Sequence, residues 1–202
     1  MLNSVASTGN LELLKKLHKE GCDLDSIDYL GRGILHVIAG TCGREAIAEY
    51  LCSQNINLDL LDNKARSALY LAVEADNFGV ANILATKGAS IIADDTRIAK
   101  MLCMIGFEND MEKLRFLVKS DCDIDNSDYD KRTIGHLAAA EGNIEMLEFL
   151  ATSSSFDFSL KDRWNNSVLG ELKDEEAINR IEQLVYNRST KAGSRKRTAS
   201  DV

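Results

Sequence analysis

The sequence predicts an all-α solenoid of about five helix-turn-helix units with short hairpins between them. Three observations carry that prediction. Asp28, Asp62, Asp95, Asp128 and Asp162 recur at spacings of 34, 33, 33 and 34 residues, and a period of this length marks units that cannot bury their apolar faces alone and must stack on neighbours. Within a period, two short segments of helical apolar spacing flank a Gly, Asn or Asp break. Hydrophobic residues make up 45% of the chain but aromatics only 6%, which suits a thin helical interior filled by Leu, Ile, Val and Ala.

The first unit, near residues 1–27, has two helical segments, Leu2 to Thr8 and Leu11 to Glu20, around Gly9-Asn10, with no hairpin before them. Met1 therefore either begins a cap or follows a cut from a longer protein. The second, 28–61, opens its first helix with Gly31-Arg-Gly-Ile-Leu-His36, breaks at Gly43 and forms its second helix over Glu45 to Ser53. The third, 62–94, runs through Ala68 to Val73, turns at Asp76-Asn77 and closes with Val80 to Lys87. The fourth, 95–127, is visible by register alone: Asn109-Asp110 falls at the turn, Met111 to Lys119 makes the second helix, and Cys103 takes the place of His36 and His136. Lacking a Gly-x-Thr phrase, this unit should have a shortened or irregular hairpin.

The fifth unit, 128–161, is the clearest, with helices over Ile134 to Ala140 and Ile144 to Ala151 around Gly142-Asn143. A cap, 162–187, ends in a highly charged second helix, Glu175 to Tyr186, as a solvent-facing terminal layer requires. Residues 188–202 turn to Ser, Thr, Gly and Lys/Arg and read as a disordered basic tail.

The phrase Asp128-Tyr-Asp-Lys-Arg-Thr-Ile-Gly-His-Leu-Ala-Ala-Ala-Glu-Gly-Asn resembles an ankyrin repeat. The resemblance covers roughly residues 1–187 and is strongest over 128–166. With Lys161-Asp-Arg-Trp-Asn-Asn166, that stretch is similar to the C-terminal ankyrin repeats of glutaminase-type and asparaginase-type amidohydrolases, and to those of plant potassium channels and some plant kinases. The chain departs from the family in having no proline: Ile34, Ala68, Ile134 and Val168 stand where Pro usually starts the first helix. The lost Pro pre-sets a backbone angle at a position whose N–H would be orphaned anyway, so the cost per repeat is small. The resemblance implies a protein-protein interaction module or scaffold without catalysis of its own. The alternative it implies is the regulatory or assembly end of an amidohydrolase whose catalytic domain lies outside this chain.

Charge excludes other classes. The formal net charge is −8, and the basic tail carries +4 of it, leaving the body at −12. Such a body disfavours nucleic acid and anionic membrane, which need clustered cations. Cys22, Cys42, Cys52, Cys103 and Cys122 form an odd set without a C-x-x-C pair, which reads as reduced thiols in a cytoplasmic or nuclear protein. No stretch reaches the length of a membrane span. No Ser-His-Asp order, phosphate-cradling loop or metal-ligand spacing occurs, so no catalytic, cofactor or metal residue is expected and no small-molecule substrate is implied.

His36 and His136 hold equivalent positions three layers apart, on the order of 30 Å for layers of about 10 Å. Each is expected to tie its helix start to the next hairpin, and His18 reads as plain surface. The hairpin tips carry the binding expectation. They read Tyr29-Leu-Gly-Arg32, Asn63-Lys64-Ala-Arg66, Tyr129-Asp-Lys-Arg132 and Arg163-Trp164-Asn-Asn. Arg and aromatic side chains anchor interfaces, so Tyr29, Arg32, Lys64, Arg66, Tyr129, Arg132, Arg163 and Trp164 are the candidate contacts, with first-helix surfaces beside them. An acidic or extended partner segment is the expected ligand. The competing reading pairs these Arg with Asp of adjacent tips and packs the rings between hairpins. Ala65 and Lys131 stand where the family prefers Gly, so those two turns are expected to be reshaped. In the tail, Arg195-Lys-Arg-Thr-Ala-Ser200 resembles a basophilic kinase site, and Ser200-Asp-Val202 fits the pattern of a PDZ ligand.

Overall fold

A computed structural model of the chain describes residues 2–153 and 156–198, with side chains through Thr190. Ser200 to Val202, the proposed PDZ ligand, and the end of the kinase-like phrase, Ala199-Ser200, lie outside the described residues. The chain divides into two compact units, residues 1–94 and residues from 95 on. Unit 1 contains α1 (Leu2–Thr8), α2 (Leu11–Lys19), α3 (Ile34–Ala39), α4 (Glu45–Cys52), α5 (Ala68–Glu74) and α6 (Phe78–Thr86). Unit 2 contains α7 (Asp95–Glu108), α8 (Met111–Lys119), α9 (Ile134–Ala140), α10 (Ile144–Thr152), a 3-10 turn over Val168–Glu171 and α11 (Glu175–Thr198).

In each unit the first helices of successive repeats pack together, α1 on α3 and α3 on α5, then α7 on α9 and α9 on the 3-10 turn. The second helices form the outer layer, α4 on α6 and α10 on α11. Ile34, Leu35, Ile38, Leu51, Leu69 and Leu84 fill the interior of unit 1, and Leu102, Ile105, Leu114, Leu117, Leu147 and Phe156 that of unit 2.

Each repeat is built from two turns. Between paired helices, Gly9, Gly43, Asp76, Asn109 and Gly142 take left-handed backbone, and the next residue stands immediately before the second helix. Three of those next residues cap it, the side chains of Asn10, Asn77 and Asp110 accepting from the backbone N–H of Leu13, Val80 and Lys113 at 2.9, 3.4 and 2.9 Å. The buried Asn77 also donates to the carbonyls of Ile38, Ala39 and Thr41, which joins α6 to the end of α3. Asn143 does the same for Gly106.

The second turn is the finger around each tip Asp. The Asp N–H donates to the carbonyl four residues on, at 3.0 Å for Asp28, Asp62 and Asp128 and 3.1 Å for Asp162. Its Oδ1 accepts two backbone N–H groups, those of Leu30 and Arg32 in the first finger and Lys64 and Arg66 in the second. Asp128 and Asp162 repeat the pattern. A side chain that satisfies two turn donors explains why Asp recurs. The third residue after it is left-handed in all four fingers: Gly31 (φ 73°), Ala65 (φ 56°), Lys131 (φ 58°) and Asn165 (φ 69°). The expectation that Ala65 and Lys131 reshape their turns is therefore corrected. The Asp-centred hydrogen bonds hold the left-handed conformation in spite of a Cβ, whose cost is about 1–2 kcal/mol.

Three other readings change. The Asp95 unit has no finger: α7 begins at Asp95 and runs 14 residues, twice the length of α9. Ile98, Met101, Leu102 and Ile105 extend its apolar face upstream, so helix replaces hairpin. The last helix does not stop at Asn187 but continues to Thr198. Arg188 belongs to the fold, its guanidinium donating to the carbonyls of Leu150, Ser153 and Phe156 at the end of α10. His18 is not plain surface, since its Nδ1 lies 2.8 Å from the Tyr50 hydroxyl and bridges α2 to α4.

Candidate protein-interaction surface

The fingers and the first helices are held by the buried histidines. His36 Nδ1 accepts the Gly33 N–H at 3.1 Å, and its Nε2 lies 2.9 Å from the Arg66 carbonyl of the next finger. A carbonyl only accepts, so Nε2 carries the proton and the ring is neutral. Burial pushes the His36 pKa down, against the opposing pull of the Arg66 carbonyl bond and the Asp62 charge. His136 repeats the arrangement with the Thr133 N–H at 3.2 Å and the Asn166 carbonyl at 3.3 Å. Cys103 takes the same place in its repeat, its Sγ 3.7 Å from the Arg132 carbonyl. These side chains are structural ties, as the expectation for the two histidines held.

The tip arginines divide by partner. Arg32 pairs with Asp28 of its own finger, Nη2 to Oδ2 at 2.9 Å and Nε at 3.0 Å. Arg66 does the same with Asp62 at 2.8 and 3.0 Å, its side chain only 17% exposed, and reaches Glu74 at 3.6 Å. Burial would raise the Asp62 carboxyl, but hydrogen bonds from the Arg66 side chain and backbone and from the Lys64 N–H outweigh it and hold the group below the ordinary carboxylate range. Arg132 turns to Glu171 at 3.4 Å. Arg163 pairs with Asp130 of the adjacent finger at 3.4 Å and lies 5.3 Å above the Tyr129 ring. Pairing between adjacent fingers thus describes Arg163, whereas Arg32 and Arg66 fold back on their own Asp. Lys64 is exposed and has no carboxylate within ion-pair distance among the described residues.

The aromatics face outward. Tyr29 and Tyr129 are each 87% exposed and Trp164 62%. In unit 1 the two fingers touch through Asn63, whose backbone N–H donates to the Leu30 carbonyl at 2.9 Å and whose side chain donates to the Tyr29 carbonyl at 3.2 Å. In unit 2 the Arg163 N–H donates to the Asp130 carbonyl at 2.8 Å. Tyr29, Arg32, Lys64 and Arg66 therefore stand together on one finger pair, and Tyr129, Arg132, Arg163 and Trp164 on the other.

Sequence reasoning missed the aliphatic part of this surface. Ile27, Leu30 and Leu61 on the unit 1 fingers are exposed, as are Met104 and Phe107 on α7. Ile27 and Leu61 share one register position, immediately before the tip Asp, where Asp94, Ser127 and Lys161 stand in the later repeats. An apolar residue at that position was the available signal.

Among the described residues no group of three His, Cys, Asp or Glu side chains is placed to hold a metal ion. All five cysteines are free. Burial, with a nearby acid in each case, pushes the thiols of Cys103 and Cys122 up to about 11, so neither is a thiolate at neutral pH. Among the described residues no helix is long and apolar enough to cross a membrane.

Comparison with known proteins places this architecture. A family model described as ankyrin repeats in three copies matches residues 2–95, and one described as ankyrin repeats in many copies matches residues 99–151. The chain is 31% identical to an L-asparaginase of Dirofilaria immitis over 80% of its own length, and spans 27% of that enzyme. It is 34% identical to the potassium channel SKOR of Arabidopsis thaliana over 84% of its length, spanning 20% of the channel. It is 40% identical over 68 residues to the mitochondrial liver-isoform glutaminase of Mus musculus, 11% of that protein. A chain of the solved complex between the predatory endopeptidase Bd0816 of Bdellovibrio bacteriovorus and immunity protein Bd3460 superposes with a TM-score of 0.66 at 27% identity, covering 93% of this chain and 97% of that one. The two matched segments, the finger geometry and the paired helices lead to one conclusion: the chain belongs to the ankyrin-repeat family.

Proposed function

We propose that the chain is a protein-protein interaction module that binds a partner through its fingers and first-helix surfaces and carries out no catalysis of its own. The observation that carries this reading is where the exposed apolar surface lies. Of ten exposed large apolar side chains among the described residues, six stand on fingers (Ile27, Tyr29, Leu30, Leu61, Tyr129 and Trp164) and two on the first helix α7 (Met104 and Phe107). The outer helices carry only Leu13 and Tyr186. Apolar surface concentrated on one class of elements, rimmed by polar groups, marks an interaction site. Arg163 over Tyr129 adds a cation-aromatic pair of the kind that anchors interfaces.

The eight residues of the sequence reading keep their place in the proposal with altered weights. Tyr29, Tyr129, Trp164, Lys64 and Arg163 are exposed enough to meet a partner, while Arg32, Arg66 and Arg132 chiefly shape the fingers. The free thiols fit a reducing compartment, the cytoplasm or nucleus. The amidohydrolase-end alternative gains no support from the relatives, because an enzyme and a potassium channel match over nearly the same share of the chain.

The test is a quantitative pull-down from cell extract comparing the wild-type chain with the Tyr29→Ser/Tyr129→Ser/Trp164→Ser variant. The expected result is loss of the enriched partners with an unchanged melting temperature. Retention of the same partners by a folded variant would overturn the reading.

A further inference from the structure

The charges around the unit 1 fingers argue about what the partner must be like, and this argument rests on the reading of the fingers as a binding surface. Two of the three cations there, the arginines, are already used, and Lys64 alone stands unpaired among the described residues. Arg32 is held by Asp28 and Arg66 by Asp62 and Glu74. A partner carboxylate meeting either arginine would have to displace an intramolecular one, an exchange of one charge-assisted pair for another with little net gain, which leaves one free lysine to attract an acidic partner. The acids beside the fingers are in the opposite condition. Asp23, Asp25 and Asp59 lie in the loops that lead into the fingers and, among the described residues, form no ion pair, their oxygens accepting from Asp25 N–H, Asn57 N–H and Ser90. No cation among the described residues lies within ion-pair distance of them.

Between these loops and the turn stand Ile27 (60% exposed), Tyr29 (87%), Leu30 (39%) and Leu61 (41%). The Asn63 bonds described above join the two neighbouring fingers that carry them. We infer that the unit 1 fingers take an extended apolar segment flanked by lysine or arginine, rather than an acidic one. Burial of its aliphatic or aromatic side chains against Ile27, Tyr29, Leu30 and Leu61 supplies affinity, and the flanking cations meet Asp23, Asp25 and Asp59. An acidic segment of the same apolar content meets those three carboxylates as like charges and is rejected.

The experiment is selection of a phage-displayed library of random dodecapeptides on the full 202-residue chain, followed by titration of the enriched peptides. The expected consensus is apolar with Lys or Arg flanks. Its affinity should fall by about tenfold or more in Ile27→Ser/Tyr29→Ser/Leu30→Ser and in the single variant Tyr29→Ala, which removes only an exposed ring. In Asp23→Asn/Asp25→Asn/Asp59→Asn, whose amide oxygens keep the backbone bonds, the preference for basic over acidic flanks should disappear. An acidic consensus that is still lost in Tyr29→Ala would overturn the partner chemistry and leave the fingers as the binding surface. Enriched peptides that bind the folded triple serine variant unchanged, or no enrichment at all, would overturn both.

Discussion

Ala65 and Lys131 hold left-handed backbone without being glycine, at φ 56° and 58°, and the hydrogen bonds of the Asp three residues earlier keep them there. Since the conformation costs an L-residue about 1–2 kcal/mol while Gly adds unfolded-state entropy of somewhat smaller size, Lys131→Gly should be neutral or stabilising by up to about 1 kcal/mol. Chemical denaturation checks this, and a clear loss of stability would count against the finger geometry. Arg66 makes a different point. Its position in the repeat marked it as projecting, but its guanidinium folds onto a carboxylate that is itself buried. Arg66→Glu places like charges there and should cost about 2–3 kcal/mol, more than Arg32→Glu, whose pair is the more exposed. Charge reversal at Arg66 therefore reports on folding before binding. Which carboxylate an Arg selects is decided by three-dimensional proximity, and register alone could not rank its own Asp against a neighbour's.

His36 also gives a pH signature. Its pKa is lowered in the fold, so the unfolded chain binds the proton more readily. The stability it contributes is full above about pH 6.5, the unfolded value, and is lost as pH falls below it. The charged groups around the ring are Asp62, Arg66 and Arg32. Thermal melts should show a decline from pH 6.5 toward 5, and His36→Gln should be less stable at pH 7.5 but decline less over that window. Asp62 acts lower on the scale: its depressed pKa stabilises the fold above about pH 4 and that contribution disappears in stronger acid.

Most of the helices were legible as elements because two signals coincide: apolar spacing of helical period within each helix, and a turn residue tolerant of left-handed backbone between the paired helices. Thus α8, α9 and α1 begin and end where spacing and breaks put them. The start of α7 was not legible from the missing hairpin phrase, because an absent motif does not say what replaces it. The upstream apolar residues Ile98 and Met101 did carry that information. The extension of α11 past Asn187 was hidden for another reason. Its polar composition reads as unstructured, whereas Arg188 binds carbonyls 32 to 38 residues earlier in sequence, a contact that no local pattern encodes. Removing it in Arg188→Ala should destabilise unit 2 by about 1–3 kcal/mol, with increased amide exchange at the end of α10 as the readout. Close helix packing adds a second test in the same unit. A Cβ at Gly135 would lie 2.5 Å from Phe156 Cζ and 2.8 Å from Val168 Cγ1. Gly135→Ala should therefore cost about 1–3 kcal/mol through overpacking.

For the molecule as a whole, the 33 to 34 residue period fixes which residues share a role, and departures from the period show where roles differ. The tip Asp and the buried His or Cys repeat because they build fingers. Ile27 and Leu61 occur before the tip Asp in unit 1 alone, and Met104 and Phe107 stand exposed on the long α7. Repeated residues thus describe the scaffold, and unrepeated exposed apolar ones describe what it presents. The aromatic half of the candidate surface could be read from the tips, but the aliphatic half depended on knowing which apolar side chains the fold leaves uncovered. The relatives share this scaffold within proteins several times longer, which is consistent with a module defined by surface rather than by one attached activity.

Site-specific photo-crosslinking reads out which face of the chain meets a partner. A photoreactive amino acid is placed in turn at Tyr29, Tyr129 and Phe107, and at the exposed outer-helix positions Glu49 and Glu112. Protein adducts are expected from the first three positions, and few or none from the outer helices. Adducts formed chiefly from Glu49 and Glu112, with Tyr29, Tyr129 and Phe107 silent, would contradict that expectation.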